Sequence, residues 1–206
     1  MSQRLERSEA EGSELARVLT RERKMTLIRW AGVAFGVLQV ETYYIPHPPG
    51  TETIALSIVA LLAIGNVMLS LFLRGVRDLA AARRLSMVSL LLDFLAVMGF
   101  VFVYTFDQDT AIWALIYILP MEGALRFELR GALWTMGAAA VLYSVREVYG
   151  HQAFGNDLLL TSISFRMGIG FIIGAVAGVA SSQLVRERLQ AEAETKLREE
   201  ALAKLA

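Results

Sequence analysis

Residues 115–131 read LIYILPMEGALRFELRG, and the fold turns on how this stretch is understood. An apolar run leads into Pro120, an acid follows at Glu122, and Arg126 and Arg130 come only afterwards. Two readings compete. Either a proline opens a helix beside a ligand-facing carboxylate, or a membrane span ends here and its flanking arginines mark the interface.

Composition supplies the frame. The chain has 206 residues, 55% of them apolar and 19% charged, with a mean hydropathy of +0.50. Twenty basic residues balance twenty acidic ones, so net charge points to no nucleic acid or other charged partner. The charge is instead concentrated at the two ends, and long tracts between them carry almost none. That distribution predicts an all-α polytopic membrane protein with the lipid bilayer as its main partner. Cysteine is absent, which excludes disulfides, thiol catalysis and Cys-ligated zinc. The first 24 residues are too polar to be a signal peptide.

A helical span needs about 20 mostly apolar residues. Six segments approach that description: 25–45, 53–73, 85–106, 110–127, 131–148 and 158–185. The expected organisation is a polar N-terminal segment over 1–24, a six-helix membrane domain over 25–185, and a cytoplasmic helix over 186–206. Arginine and lysine then orient the bundle. Arg21, Arg23 and Lys24 precede the first segment. Arg74, Arg77, Arg83 and Arg84 lie between the second and third, Arg126 and Arg130 between the fourth and fifth, and Arg186 and Arg188 after the sixth. The alternate loops hold one arginine, Arg146, and several acids. Both termini are therefore expected in the cytoplasm. In this frame Pro120 lies within the fourth span and kinks it, with Glu122 either near the inner interface or facing a ligand.

Ionisable groups inside an apolar segment need partners. Asp93, in MVSLLLDFLAVMGFVFVY, is the sharpest case. Arg166 sits within the sixth segment, and Glu41 near the outer end of the first. By depth, Glu41–Arg166 is a more plausible pair than Asp93–Arg166. Arg29 lies near the inner end of the first segment and is expected to snorkel. Asn66 offers an interhelical hydrogen bond. Asp93, Glu122, Arg166, Glu41 and Asn66 are thus the candidate ligand-binding or switch residues, each with a plain structural role as the alternative. His47, Glu52, Asp107, Asp109, His151 and Asp157 gather in the outer loops without metal-ligand spacing. No metal, cofactor or catalytic residue is expected.

Gly170, Gly174 and Gly178 form a small-residue face at intervals of four, suited to packing within the bundle or to a homodimer seam. Beyond it, SQLVRERLQAEAETKLREEALAKLA is rich in strong helix formers and has no breaker. Val185, Leu189, Ala193, Leu197, Leu202 and Leu205 give it an imperfect stripe. A helix continuing from membrane to cytoplasm suggests transmission to an output domain in cis, beyond residue 206.

Residues 89–143, SLLLDFLAVMGFVFVYTFDQDTAIWALIYILPMEGALRFELRGALWTMGAAAVLY, resemble the N-terminal membrane region of bacterial sensor histidine kinases and related diguanylate cyclases. The likeness lies in Leu92–Asp93, the Asp107–Asp109 turn, Pro120, and Ala124 through Leu133. It implies a six-span sensor whose last span continues into a signalling helix; a homodimer and a small or hydrophobic ligand as stimulus are further expectations of the sensory reading. No phosphorylation box, nucleotide-binding glycine motif or cyclase signature occurs, so no enzymatic activity is expected of this chain. A small transporter or channel is the alternative function, with Asp93, Asn66, Glu122 and Arg166 along a path. A membrane enzyme finds no motif to support it.

Overall fold

The computed structural model describes the backbone of residues 2–205 and the side chains of residues 11–187 and 189–195. Five α-helices occur among the described residues: α1 Ser2–Thr42, α2 Thr51–Gly75, α3 Leu79–Val103, α4 Ile118–Phe154 and α5 Leu160–Leu205, with a 3-10 helix at Ala111–Tyr117 before α4. The chain forms two compact units, one of residues 1–115 with 142–158 and one of residues 116–141 with 159–206.

Among the described residues three helices, not six, are long and apolar enough to cross a membrane: α2, α3 and the Leu160–Thr195 part of α5. The other three predicted spans fail for separate reasons. The first lies inside the 41-residue α1, where Arg29, Gln39 and Glu41 interrupt the apolar run. The fourth is a 3-10 turn followed by a short helical arm. The fifth ends in Arg146 and Glu147, which are buried rather than flanking. The placing of both termini on one side rested on arginine and lysine alternating across six spans, and with three candidates among the described residues that alternation no longer applies.

Pro120 does not kink a span. It is the third residue of α4, just past the point where the 3-10 helix Ala111–Tyr117 passes into α-helix, and no non-helical backbone occurs there. The break comes later, at Phe127 (φ −135°, ψ 22°) and Glu128 (φ 54°, ψ −148°). Glycines on either side allow the reversal. A Cβ on Gly123 would stand 2.5 Å from the carbonyl oxygen of Gly131, so the two arms of α4 meet backbone to backbone. Glu128 is the one non-glycine residue with positive φ among those described.

In the first unit α1, α2 and α3 pack on one another. The buried positions of α1 (Val18, Glu22, Met25, Arg29, Gly36 and Val40) recur at intervals of three, four and seven, one stripe of a helix. Glycine permits close crossing at Gly65, whose missing Cβ would strike the Leu92 side chain. The opposite faces are apolar and exposed: Leu27 and Leu38 on α1, Leu61, Ile64 and Leu71 on α2, Met87, Leu91 and Leu95 on α3. Arginine and glutamate lie inside while leucine lies outside. That inversion of the water-soluble pattern, on apolar helices of spanning length, makes the chain a membrane-associated helical module.

In the second unit, α5 seats on α4 through the small-residue face. Gly170 meets Met136 and Tyr117, Gly174 meets Pro120 and Ala132, and Gly178 meets the backbone of Leu129. Of the two uses expected for this face, packing within the chain is the one observed.

A buried polar cluster as candidate functional site

The cluster is built from three helices of the first unit. On α1, Glu22 and Arg29 are separated by seven residues, close to two turns, and so share a face. On α3, Ser86, Ser89 and Asp93 follow at intervals of three and four, also one face. Asn66 comes from α2. All six side chains are buried, with Arg29 at 4% exposure and Asn66 and Ser86 at 0%.

Arg29 is the hub. Its Nε–H donates to Asp93 Oδ1 at 2.5 Å and its Nη2 to Oδ2 at 2.8 Å, the bidentate geometry that suits guanidinium and carboxylate best. Nη1 donates to Asn66 Oδ1 at 3.4 Å, and Nη2 also donates to Ser89 Oγ. The Ser89 hydroxyl donates to Glu22 Oε2 at 2.8 Å, and the Ser86 hydroxyl to Glu22 Oε1 at 2.5 Å. Arg21 Nη2 donates to Ser86 Oγ at 3.4 Å. Asn66 Nδ2 ties α2 back to α1 through the Thr26 carbonyl at 3.0 Å. A continuous line runs Asp93–Arg29–Ser89–Glu22–Ser86–Arg21. Among the described contacts two cations, Arg21 and Arg29, face two anions, Glu22 and Asp93.

Pairing is what lets it exist here. An isolated charge at the centre of a helix in hydrocarbon costs roughly 2.5–3.5 kcal/mol by insertion scales. Paired and hydrogen-bonded, the same groups instead fix the register of three helices whose other contacts are interchangeable apolar ones. The cluster presents no exposed nucleophile or acid; it holds charge in place.

The candidates from sequence distribute as follows. Asp93 and Asn66 come together through Arg29. Glu122 pairs with Arg126 across one turn of the first arm of α4, Nη1 to Oε2 at 2.8 Å. Arg166 is half-buried in α5, and its carbonyl accepts the Tyr117 hydroxyl at 3.0 Å. Glu41 is exposed at the end of α1. Arg29, expected to snorkel, turns inward instead, because Asp93 offers it a carboxylate on the facing helix. Glu22, Ser86 and Ser89 were missed. The signal that reveals them is the seven-residue spacing of Glu22 and Arg29, which continues a buried stripe across the supposed boundary at residue 25.

At the other end of the first unit a second set of bonds joins the loops. The Tyr43 hydroxyl donates to Asp107 Oδ2 at 2.6 Å, and burial, aided by that carboxylate, raises the phenol above its usual range. Arg146 pairs with Glu147 at 2.5 Å and donates to the Tyr104 carbonyl at 3.2 Å. Gln108 and Asp157 exchange two hydrogen bonds, at 3.1 and 3.0 Å. Among the described residues no group of His, Asp and Glu has the arrangement of a metal site.

No known protein family matches the chain, and neither the curated proteins nor the solved structures give a match. The resemblance to sensor-kinase membrane regions is accordingly corrected. Nothing related supports it, and among the described residues three helices, not the six that it implied, are long and apolar enough to span.

Proposed function

We propose that the chain is a membrane-embedded regulatory module in which the packing of α1–α3 sets a state and α5 carries that state to the aqueous side. The observation that carries this reading is the continuity of α5. It runs unbroken for 46 residues, about 70 Å at ~1.5 Å per residue, where a bilayer core needs about 30 Å. Its first half is apolar and held to α4 by Gly170, Gly174 and Gly178; its second half is dense in charge. A rigid helix of this kind passes rotation or translation at one end to the other. Ser182 sits at the changeover, with its hydroxyl 3.1 Å from Glu128 at the reversal of α4. The partner of the charged half is proposed to be an output domain of cytoplasmic signalling type. The side chains of Leu197, Leu202 and Leu205, which would define a pairing stripe there, lie outside the described residues.

The test is amide hydrogen exchange on the full chain in lipid nanodiscs. Asp93→Leu releases Arg29 and should change protection across residues 182–195 severalfold. Leu91→Ala, at nearly the same depth but facing outward, should leave it unchanged. Identical exchange over 182–195 in wild type and Asp93→Leu would separate α5 from the cluster and end the transmission reading. Ion flux in proteoliposomes that is lost in Asp93→Leu would replace it with transport.

A further inference from the structure

The loop end of the first unit carries a cleft of about 480 Å³, between the start of α2, the end of α3 and the last turns of α4. Its volume lies within the range of small-molecule sites. We propose that this cleft binds a hydrophobic cation, an aryl or alkyl ammonium or phosphonium, between aromatic faces set in an acidic surround.

Three features converge on that chemistry. The first is the wall. Phe102, Phe106, Tyr149 and Phe154 line the cleft, with Ile54 closing the apolar side. Phe154 meets Phe106 edge to face at 6.4 Å and 71°, and meets Tyr149 at 5.8 Å and 89°. Rings at right angles form a corner, and a ring face carries the negative part of the quadrupole, which attracts a cation within about 6 Å.

The second is charge. Glu52 follows the lining residue Thr51, and its side chain is 63% exposed beside His47, at 3.2 Å. Asp107 follows the lining residue Phe106 and accepts a neutral phenol. The nearby arginine, Arg146, is neutralised by Glu147. Three acids, Glu52, Asp107 and Glu147, stand against the one arginine and leave the surround net negative, so an anion of the same shape is disfavoured.

The third is rigidity. Arg146 binds the carbonyl that caps α3, Asn156 Nδ2 donates to the Thr105 carbonyl at 2.7 Å, and Gln108 and Asp157 lock the two loops. Gly155, at φ 74°, ends α4 and turns the chain so that Phe154 keeps its place. The walls stand formed before a ligand arrives, which limits the ordering cost of binding.

The experiment uses two ions of one shape and opposite charge. Labelled tetraphenylphosphonium is titrated onto the full chain in nanodiscs, with empty nanodiscs subtracted, and tetraphenylborate is added as competitor. The expected result is saturable binding of one cation per chain, not displaced by the anion. Replacing Tyr149 and Phe154 together by leucine keeps an apolar wall and removes both ring faces; affinity should fall about tenfold. Glu52→Gln, at an exposed position that cannot unfold the bundle, should weaken binding severalfold. Absence of saturable binding, or equal displacement by tetraphenylborate, would overturn the proposal. Unchanged affinity in the Glu52→Gln chain would remove the electrostatic part on which the choice of a cation rests. A cleft filled by a lipid acyl chain would show itself as competition by neutral detergent alone, with no effect of charge, and would equally overturn it.

Discussion

Arg29 and Asp93 carry the argument at the scale of single residues. Two leucines in their place would pack, and replacing a buried ion pair by apolar groups of similar size is often neutral or stabilising. Removing one partner is different, because it strands the other charge among apolar helices. Arg29→Leu and Asp93→Leu should therefore each destabilise the first unit by about 3–5 kcal/mol, while the double variant returns most of the loss. Denaturation of the four proteins in one mixed micelle system measures this. Additive losses in the double variant would show that the two side chains act apart. Asp93 announced itself in the sequence as a carboxylate in an apolar run. Its partner did not, since Arg29 stands where a snorkelling arginine also stands, and only the facing helix tells the two apart. Ser86 and Ser89 were less legible still. A serine in a span commonly bonds its own helix, and here both hydroxyls reach instead to Glu22, outside the boundary that hydropathy had drawn.

At the scale of elements, α2, α3 and the apolar part of α5 were legible because each is a long apolar run with at most one charge inside it. The reversal of α4 was not. Proline drew the eye to residue 120, yet no non-helical backbone occurs there, and the chain turns at Phe127–Glu128, where no residue type signals it. Gly123 and Gly131 hold the information, but only as a pair brought face to face. Glu128 adopts a backbone conformation that a side chain adopts at a cost of order 1–3 kcal/mol, sustained by the packing around it. Gly123→Ala should consequently lower the stability of the second unit by about 1–3 kcal/mol, because its methyl meets backbone that cannot rotate aside. Gly137→Ala, with open space at its Cβ, should be neutral or slightly stabilising. Thermal unfolding of both variants decides it; an equal effect of the two substitutions would mean that the arms of α4 do not touch at Gly123.

At the scale of the whole molecule, the described helices of the first unit hold charge inside and leucine outside, and membrane character follows from that inversion more than from a count of spans. Hydropathy foresaw helices apolar and long enough for a bilayer. It overcounted the spans because α1 and α4 are apolar enough to attract notice and too interrupted by Arg29, Glu41, Arg146 and Glu147 to qualify. The most direct measurement is spin-label accessibility in bilayers, made simple by a chain without cysteine. Nitroxides placed singly at Ile64, Leu91 and Ile172, all exposed and apolar, should relax with dissolved oxygen and stay shielded from a water-soluble nickel chelate, whereas labels at Asp109 and Glu187 should show the reverse. Nickel access at Ile64 and Leu91 equal to that at Glu187 would put those faces in water and contradict the account of this protein as a bundle with its charges inside and its leucines in lipid.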